Sequence, residues 1–315
     1  MLSRTADNLY WMGRYIERAE NHARILDVAH RLSMMPTTPE SAETQWKSVV
    51  TISGGDEIFP DAYDQADDRS VLAFMALDPD NPSSIYSCIH AARENCRAMR
   101  HAVPSEVWQS LNTTWIEIRD MTEARIHATG PQQFFDWVKE RSSLFRGVSV
   151  GTMLQDEAFH FTRLGTFVER GDSTARILDV KYHVLLPQGE DIGGATDYYQ
   201  WAALLRSVSA FRNYRALYGT DVQPMHVAEL LILVEAMPRS LHHCQNEITH
   251  HLDALAGHYG QRHECHRLAG ETHARLRFGK IDHIFDQGLH EYLTDYVERN
   301  ARLGVEIADN FLLNS

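Results

Sequence analysis

The sequence predicts an all-α protein, and three observations indicate this fold class. Apolar residues recur at spacings of three and four through most of the 315 residues, which is the period of an amphipathic helix. No stretch alternates apolar and polar residues for long enough to indicate a strand. Proline and glycine cluster at a few positions, as expected of breaks between helices. We therefore expect helices throughout, without a sheet.

The first apolar stripe predicts a long helix over about residues 3–34. Its members are Leu9, Met12, Ile16, Ala19, Ala23 and Leu26. Pro36 and Pro39 lack the backbone N–H that a continuing helix needs, so we expect the helix to stop before them. A second helical stretch follows Trp46 and leads into a break at residues 53–55.

The starts of later helices are marked by proline, asparagine and glycine. Asn81 is expected to cap a helix that has Pro82 in its first position and one apolar face. Pro104 opens the next helix, and a glycine–proline pair at 130–131 precedes another at about 134–145. The segment 147–151 matches a G-x-S-x-G nucleophile elbow, but a helix rather than a strand comes before it, so we predict a helix break there instead.

The second half of the chain repeats the first. Residues 13–28 are GRYIERAENHARILDV, residues 165–180 are GTFVERGDSTARILDV, and nine of these sixteen positions are identical. Further matches follow in order at a nearly constant offset, namely Trp46 with Trp201, Pro82 with Pro238 and Cys88 with Cys244. Such an ordered series indicates duplication. We predict two related bundles of five or six helices each, residues 1–146 and 147–315, packed as one compact unit about a pseudo-twofold axis.

The composition argues against several classes of protein. Acidic residues outnumber basic ones by 43 to 30, and the net charge of −13 disfavours nucleic-acid binding, which needs clustered cations. There is no apolar run of about 18 residues, and the opening residues do not resemble a signal peptide. The four cysteines form no C-x-x-C pair, so neither a disulfide framework nor a zinc ribbon is expected. We expect a cytoplasmic protein that binds neither nucleic acid nor membrane.

Charged residues recur inside the apolar stripe of both copies. On a helical wheel the stripe contains or adjoins Glu17, Glu20, Arg24 and Asp27 in the first copy, and Glu169, Asp172, Arg176 and Asp179 in the second. An unpaired buried carboxylate costs several kcal/mol, so these groups need partners. Glu20 with Arg24 and Asp172 with Arg176 have the i,i+4 spacing of an ion pair. Either the charges form a structural network between helices, or they line a polar pocket for a charged small molecule or a partner's side chains.

A second charged cluster follows Asn81 and lacks a counterpart in the other half. It consists of Arg93, Glu94, Asn95, Arg97 and Arg100. The arginines share one helix face and are able to bind carboxylates or phosphates in bidentate fashion. The asymmetry favours a ligand site in the first half, and the alternative is a solvated basic face.

Two Glu-x-x-His pairs suggest a metal site as an alternative. They are Glu157 with His160 and Glu247 with His250. With two further carboxylates, for which Glu17 and Glu169 are candidates, such pairs build a di-iron site in a helical bundle. The pairs do not occupy equivalent positions of the repeat, which argues against this. The chain has neither a P-loop nor a G-x-G-x-x-G motif, so we expect no nucleotide or other cofactor in it.

Three blocks of sequence carry a resemblance to a known family. They are LYWMGRYIERAEN at 9–21, NPSSI at 81–85 with the segments 92–95 and 106–112, and the stretch 152–179. Together they resemble the bacterial alpha-E family over nearly the whole chain. The resemblance implies an all-helical fold without an assigned enzymatic activity. It also implies functional residues at Glu17, Glu20, Arg24, Asp27, Arg93, Glu94, Arg97, Glu169, Asp172, Arg176 and Asp179.

The resemblance further implies partners, because genes of this family accompany a circularly permuted ATP-grasp ligase, a transglutaminase-like peptidase and sometimes a proteasome-like protein. Our leading hypothesis is an accessory subunit of an ATP-grasp amidoligase that makes peptide-like amide bonds. ATP and Mg²⁺ would belong to the ligase, and this chain would offer a docking surface or a charged substrate pocket without catalysis of its own. The alternatives are a carboxylate–histidine metalloenzyme and a purely structural scaffold.

Overall fold

The computed structural model describes residues 1, 3–34, 39–184 and 195–312. Within these ranges it contains sixteen helices and no strand, so the predicted all-α fold is confirmed. The helices are α1 (Ser3–Ser33), α2 (Pro39–Ser53), α3 (Phe59–Ala62), α4 (Asp68–Ala76), α5 (Ile85–Ala98), α6 (Ser105–Arg119), α7 (Glu123–Thr129), α8 (Pro131–Thr152), α9 (Glu157–Val184), α10 (Ala195–Ser207), α11 (Phe211–Tyr218), α12 (Pro224–Ile232), α13 (Leu241–Tyr259), α14 (Glu264–Arg277), α15 (Ile281–Gln287) and α16 (Leu289–Phe311). In the described ranges no helix combines the length and the apolar character needed to cross a bilayer.

The two longest helices, α1 and α9, form the centre of the molecule. They pack against each other more extensively than any other pair of described helices. Outer helices surround them, with α5 and α8 against α1, and α13 and α16 against α9. All eleven residues from Ala19 to Ala29 are buried. The expected amphipathic stripe was therefore too narrow a description of α1, which is enclosed on every side along this stretch.

Glycine allows the two central backbones to touch. A Cβ atom on Gly13 would lie 2.2 Å from the carbonyl oxygen of Thr162, and one on Gly165 would lie 2.1 Å from that of Tyr10. Any larger residue would push the helices apart. Contacts continue from this point to residues 17–18 of α1 and 169–170 of α9. The helices consequently run side by side in the same direction.

Apolar cores lie on either side of a charged layer. One core includes α1 up to Ile16 and α9 up to Val168, with parts of α13, α14 and α16. The other begins at Ala19 of α1 and Ala175 of α9 and extends over α2, α4, α10 and α12. The residues between them on the central helices are mostly charged or polar. This layer is where the sequence placed carboxylates and arginines.

The structure confirms one boundary of the predicted elements and corrects another. α1 ends at Ser33 as predicted, and Pro36 lies outside the described residues. The cap of α5 is Ser84 rather than Asn81, because the Ser84 hydroxyl accepts a hydrogen bond of 3.0 Å from the N–H of Ser87. Asn81 instead donates to the carbonyl of Phe74 at 3.0 Å and holds the preceding turn.

The predicted helix break at 147–151 is wrong. α8 runs without interruption to Thr152, and the hydroxyl of Ser149 bonds the carbonyl of Phe145 at 2.7 Å, so no nucleophile elbow forms. The predicted division at residue 147 falls inside this helix. Sixteen helices also exceed the predicted five or six per half, since short helices such as α7 and α15 carry too few residues for a periodic pattern. The duplication and the pseudo-twofold axis stay predictions.

We expect Gly13→Ala to destabilise the fold, because the added methyl group would collide with the backbone of α9. Overpacking of this kind typically costs about 1–3 kcal/mol. Gly147→Ala, at an exposed helical position with open space around it, is the matched control and should gain up to about 1 kcal/mol. Urea denaturation measures both. Equal free energies of unfolding for the two variants would contradict the close contact of α1 with α9.

Candidate functional site

Each central helix carries a Glu-Arg dipeptide, and the arginine of each dipeptide pairs with the glutamate of the other helix. The guanidinium of Arg170 binds both oxygens of Glu17, with Nε–Oε1 at 2.9 Å and Nη2–Oε2 at 2.8 Å. The guanidinium of Arg18 binds both oxygens of Glu169 in the same way, at 2.6 and 3.2 Å. Two-point pairing of this kind is both strong and directional. The carboxylate of each helix is thus held by the arginine of the other.

The surroundings of Glu17 form what we call the closed network, defined by Glu17, Glu20, Arg24, Arg146, Arg170 and Arg239. Arg239 donates to Glu17 at 3.1 Å and also contacts Glu20, and Arg24 donates to Glu20 at 2.9 Å. Arg146 reaches both carboxylates from α8. Two carboxylates that are 1% and 0% exposed therefore face four guanidinium groups.

The electrostatics of the closed network keep the carboxylates ionised. Burial alone would raise the pKa of Glu17, but the guanidinium groups of Arg170 and Arg239 outweigh burial and hold that pKa below its usual value. Burial lowers the pKa of Arg239 to about 10, and the neighbouring arginines contribute to that shift. All six groups are charged at neutral pH. The cations are in excess by two.

The surroundings of Glu169 are different, because they open into a cavity of about 520 Å³, which we call the Glu169 cavity. Glu169 receives a further hydrogen bond of 2.7 Å from Arg14, and Asp172 pairs with Arg176 at 2.6 Å. The lining combines these charged groups with polar and apolar side chains: Trp11, Arg14, Arg18, Asn21, His22, Ile25, Ile52, Ser53, Ser83, Glu169, Asp172, Ser173, Arg176, Asn300, Gly304 and Val305. Its volume lies within the range of small-molecule sites, roughly 300–1,000 Å³.

Four buried polar atoms on this lining have no hydrogen-bond partner within the protein. They are Asn21 Nδ2, His22 Nδ1, Ser173 Oγ and Asn300 Oδ1. Each of these residues is less than a tenth exposed. Buried polar atoms are normally satisfied, so a cluster of exceptions around one cavity calls for an explanation. The residues that carry these atoms border the cavity, while the atoms themselves expose almost no surface to it.

The structure separates the charged residues that the sequence grouped together. Glu17, Glu20 and Arg24 belong to the closed network, whereas Glu169, Asp172 and Arg176 line the Glu169 cavity. The predicted i,i+4 pairs of Glu20 with Arg24 and Asp172 with Arg176 are both present. The other two carboxylates lie further along the helices, Asp27 bound by Arg31 and Lys139, and Asp179 by His290.

The cluster on α5 lies elsewhere. The guanidinium groups of Arg93 and Arg100 stack on the ring of Trp108, at 5.2 and 4.8 Å from its centroid. Glu94 pairs with both Arg93 and Arg97. None of these side chains lines the Glu169 cavity. The sequence favours a ligand site at this cluster, because only one half of the chain contains it. The cavity lies elsewhere.

The candidate metal ligands come only partly together, with the ring centroids of His160 and His250 6.4 Å apart. Glu157 binds the amino group of Met1 at 2.9 Å, and Glu247 lies 3.8 Å from Arg163. His160 contacts the ring nitrogen of His251 at 3.0 Å rather than a carboxylate. Within the described ranges, no group of three or more His, Cys, Asp or Glu residues is placed to hold a metal ion. Neither Glu17 nor Glu169 joins these pairs.

Sequence reasoning did not identify the arginines that pair with the carboxylates of the closed network and the Glu169 cavity: Arg14, Arg18, Arg146, Arg170 and Arg239. A signal existed for two of them, since Arg18 and Arg170 follow the repeated glutamates directly in each copy. Arg146 and Arg239 come from α8 and from the turn before α13, more than a hundred residues away from Glu17 in the chain. No local pattern points to them.

Fold and site together define a helical protein built on paired Glu-Arg dipeptides at a central helix crossing. The chain belongs to the Alpha-E family, described as a predicted alpha-helical domain with a conserved ER motif, whose model matches residues 1–312. The resemblance found in the sequence is thereby confirmed.

The curated relatives are longer proteins. An uncharacterized protein of Mycobacterium bovis is 26% identical over 318 residues, which cover 93% of this chain and 34% of the relative. An uncharacterized protein of Mycobacterium tuberculosis is 25% identical with the same coverage. The chain therefore spans about a third of the length of the curated relatives it matches. No solved structure matches it significantly.

We expect Glu17→Gln to lower the free energy of unfolding by about 3–5 kcal/mol, because it leaves Arg170 buried without its counter-charge and Arg239 with Glu20 alone. The matched control is Asp253→Asn, which breaks an exposed pair with Arg262 and should change stability by less than about 1 kcal/mol. Chemical denaturation at pH 7 measures both. Similar losses in the two variants would contradict a buried role for the closed network.

His22 should make stability depend on pH. Burial lowers its pKa from 6.5 to about 4, and Arg18 contributes to that shift. Between these two pH values the histidine is protonated in the unfolded chain and neutral in the folded chain. The free energy of unfolding therefore decreases as the pH falls from 6.5 towards 4, by up to about 1.4 kcal/mol per pH unit. His22→Gln should flatten this slope, while His283→Gln, at an exposed position, should not. Denaturation series between pH 7 and 4.5 would show equal slopes if His22 does not titrate in this way.

Proposed function

We propose that this chain binds a small charged molecule in the Glu169 cavity and acts as the accessory subunit of a circularly permuted ATP-grasp amidoligase. The observation that carries the binding role is the cavity itself, which is lined by charged side chains and by four residues that carry unpartnered buried polar atoms. Buried polar groups without partners destabilise a fold, so their concentration favours a functional requirement over a packing one.

The ligase partnership is supported by the family to which the chain belongs, through the resemblance described above. On this proposal the ligase binds ATP and Mg²⁺ and forms the amide bond in the cytoplasm, while this chain presents a substrate. A transglutaminase-like protein would be a second partner of the same system.

The chemistry of the chain supports a role without catalysis of its own. Its four cysteines are buried, and burial raises the pKa of each thiol to about 12. At neutral pH these thiols stay protonated, and the thiolate is the nucleophilic form. The cavity offers guanidinium, amide and hydroxyl groups, which bind and orient charged molecules.

A scaffold role accounts for only one of the two charged places. The closed network, in which arginine side chains fill the space around Glu17 and Glu20, is what a structural network predicts. The same reasoning does not account for the Glu169 cavity. We therefore propose both roles, helix packing at Glu17 and ligand binding at Glu169.

Co-purification with the ATP-grasp ligase encoded beside it tests the partnership. We expect a complex, and we expect the chain to stimulate amide formation by the ligase. Arg176→Ala should lower that stimulation at least about tenfold, the equivalent of about 1.4 kcal/mol, with little change in melting temperature, because this side chain is 38% exposed and borders the cavity.

Arg262→Ala is the control, since Arg262 forms an exposed ion pair that does not border the cavity. It should leave both complex formation and stimulation unchanged. Absence of a complex, together with ligase activity that does not respond to the chain, would refute the accessory role.

A further inference from the structure

The two charged places are built alike, and this likeness indicates what the Glu169 cavity binds. Glu17, Glu20 and Arg24 on α1 have the same spacing as Glu169, Asp172 and Arg176 on α9. In each place the first carboxylate takes a two-point pair from the arginine of the other helix, and the second takes an i,i+4 pair. The two places differ in what occupies the remaining space.

The first difference lies before α5 and α13. Ser84 and Ser240 cap these helices identically, each hydroxyl accepting a hydrogen bond of 3.0 Å from the N–H three residues later. The residue before the cap is Arg239 in one case, and its guanidinium fills the closed network. In the other case it is Ser83, whose short side chain borders the Glu169 cavity.

The second difference lies on α8 and α16. Both helices follow a glycine with positive φ, Gly130 at 90° and Gly288 at 102°. Sixteen residues after the first glycine stands Arg146, which enters the closed network, and sixteen residues after the second stands Gly304, which lines the cavity. Serine and glycine thus replace two arginines. The cavity corresponds to the space that two guanidinium side chains fill in the closed network.

We propose that the Glu169 cavity binds a small zwitterion that carries one guanidinium or ammonium group and one carboxylate, the chemistry of amino acids and short peptides. The cationic group takes the place that corresponds to the guanidinium of Arg239. This inference rests on the ligand-binding role proposed above and names the class of ligand.

The cationic end of the ligand meets acceptors that match those of Arg239. In the closed network Arg239 contacts Glu17, Glu20 and Asn21. Their counterparts by position in the repeat are Glu169, Asp172 and Ser173, and all three line the cavity. The Asp172 side chain remains 22% exposed, and Asn300 adds a buried carbonyl oxygen without a partner in the protein. An ammonium or guanidinium group in the cavity pairs with the exposed part of the Asp172 carboxylate.

The carboxylate end meets an arginine that the closed network lacks. Arg14 lines the cavity, whereas the equivalent position on α9 is Thr166. The cavity lining carries three guanidinium groups, on Arg14, Arg18 and Arg176, and two carboxylates, on Glu169 and Asp172. It therefore has one positive charge in excess. The amide nitrogen of Asn21 is a further donor without a partner. A zwitterion leaves this excess at one, whereas a ligand with positive charge alone would raise it to two, which favours the zwitterion over a cation.

Isothermal titration calorimetry with 4-guanidinobutanoate tests the assignment, with butanoate and propylguanidinium as probes that each carry one half of the charge pattern. We expect the zwitterion to bind at least about tenfold more tightly than either half, a difference of about 1.4 kcal/mol. Butanoate or propylguanidinium binding as tightly as the zwitterion, or no binding of the zwitterion, would overturn the proposal.

Ser83→Arg places a guanidinium group where Arg239 stands in the closed network, and it should abolish binding of 4-guanidinobutanoate. Ser105→Arg, at an exposed position at the start of α6, is the control and should retain it. Asp172→Asn is the second variant, because it removes an acceptor charge from a partly exposed side chain without adding bulk. It should weaken binding at least about tenfold. Wild-type affinity in either folded cavity variant would overturn the proposal.

The outcome separates this inference from the ligase partnership. A chain that purifies with the ligase but does not bind 4-guanidinobutanoate would refute the ligand class alone. A chain that binds the zwitterion but forms no complex would refute the partnership and support the ligand class.

Discussion

The fold depends on the exchange of Glu-Arg pairs between α1 and α9. Each carboxylate is buried, and a buried charge is tolerated only beside its counter-charge. The pairs form only where the backbones touch at Gly13 and Gly165, since the arginine of one helix must reach the glutamate of the other. The close approach of the two helices is therefore needed for the ion pairs, and the ion pairs in turn stabilise that approach. Apolar cores lie on both sides of the layer in which they meet.

The closed network contains more buried charge than pairing of its carboxylates requires. Two carboxylates hold four guanidinium groups, and burial makes the last of them, on Arg239, easier to deprotonate than an arginine in water. Apolar residues of similar volume would often stabilise a core at least as well. The arginines instead tie α8 and the turn before α13 to the central pair at defined positions. Specific placement of these outer elements is what the charges supply.

Much of this was predictable from the sequence. Periodicity located α1 to within a residue, and the carboxylates inside its stripe correctly indicated buried ion pairs such as Glu20 with Arg24. The cross-helix partners were not predictable, because Arg146 and Arg239 approach from distant segments and a single sequence carries no signal of that contact. Gly147 looked like a break and lies within a helix, since glycine is tolerated at an exposed helical position. The cavity exists because the residues at Ser83 and Gly304 are small. Small residues form no periodic pattern from which a cavity could be predicted.

The contact of Gly13 with Thr162 also governs how the chain reaches its folded state. It joins segments about 150 residues apart, so the centre of the molecule cannot form until most of α9 has left the ribosome. Contacts between distant segments slow folding, because the loop between them must close first. Until then Glu17 and Glu20 have Arg24 and Arg146 as counter-charges but lack Arg170 and Arg239. The closed network is thus complete only after the second half has been synthesised.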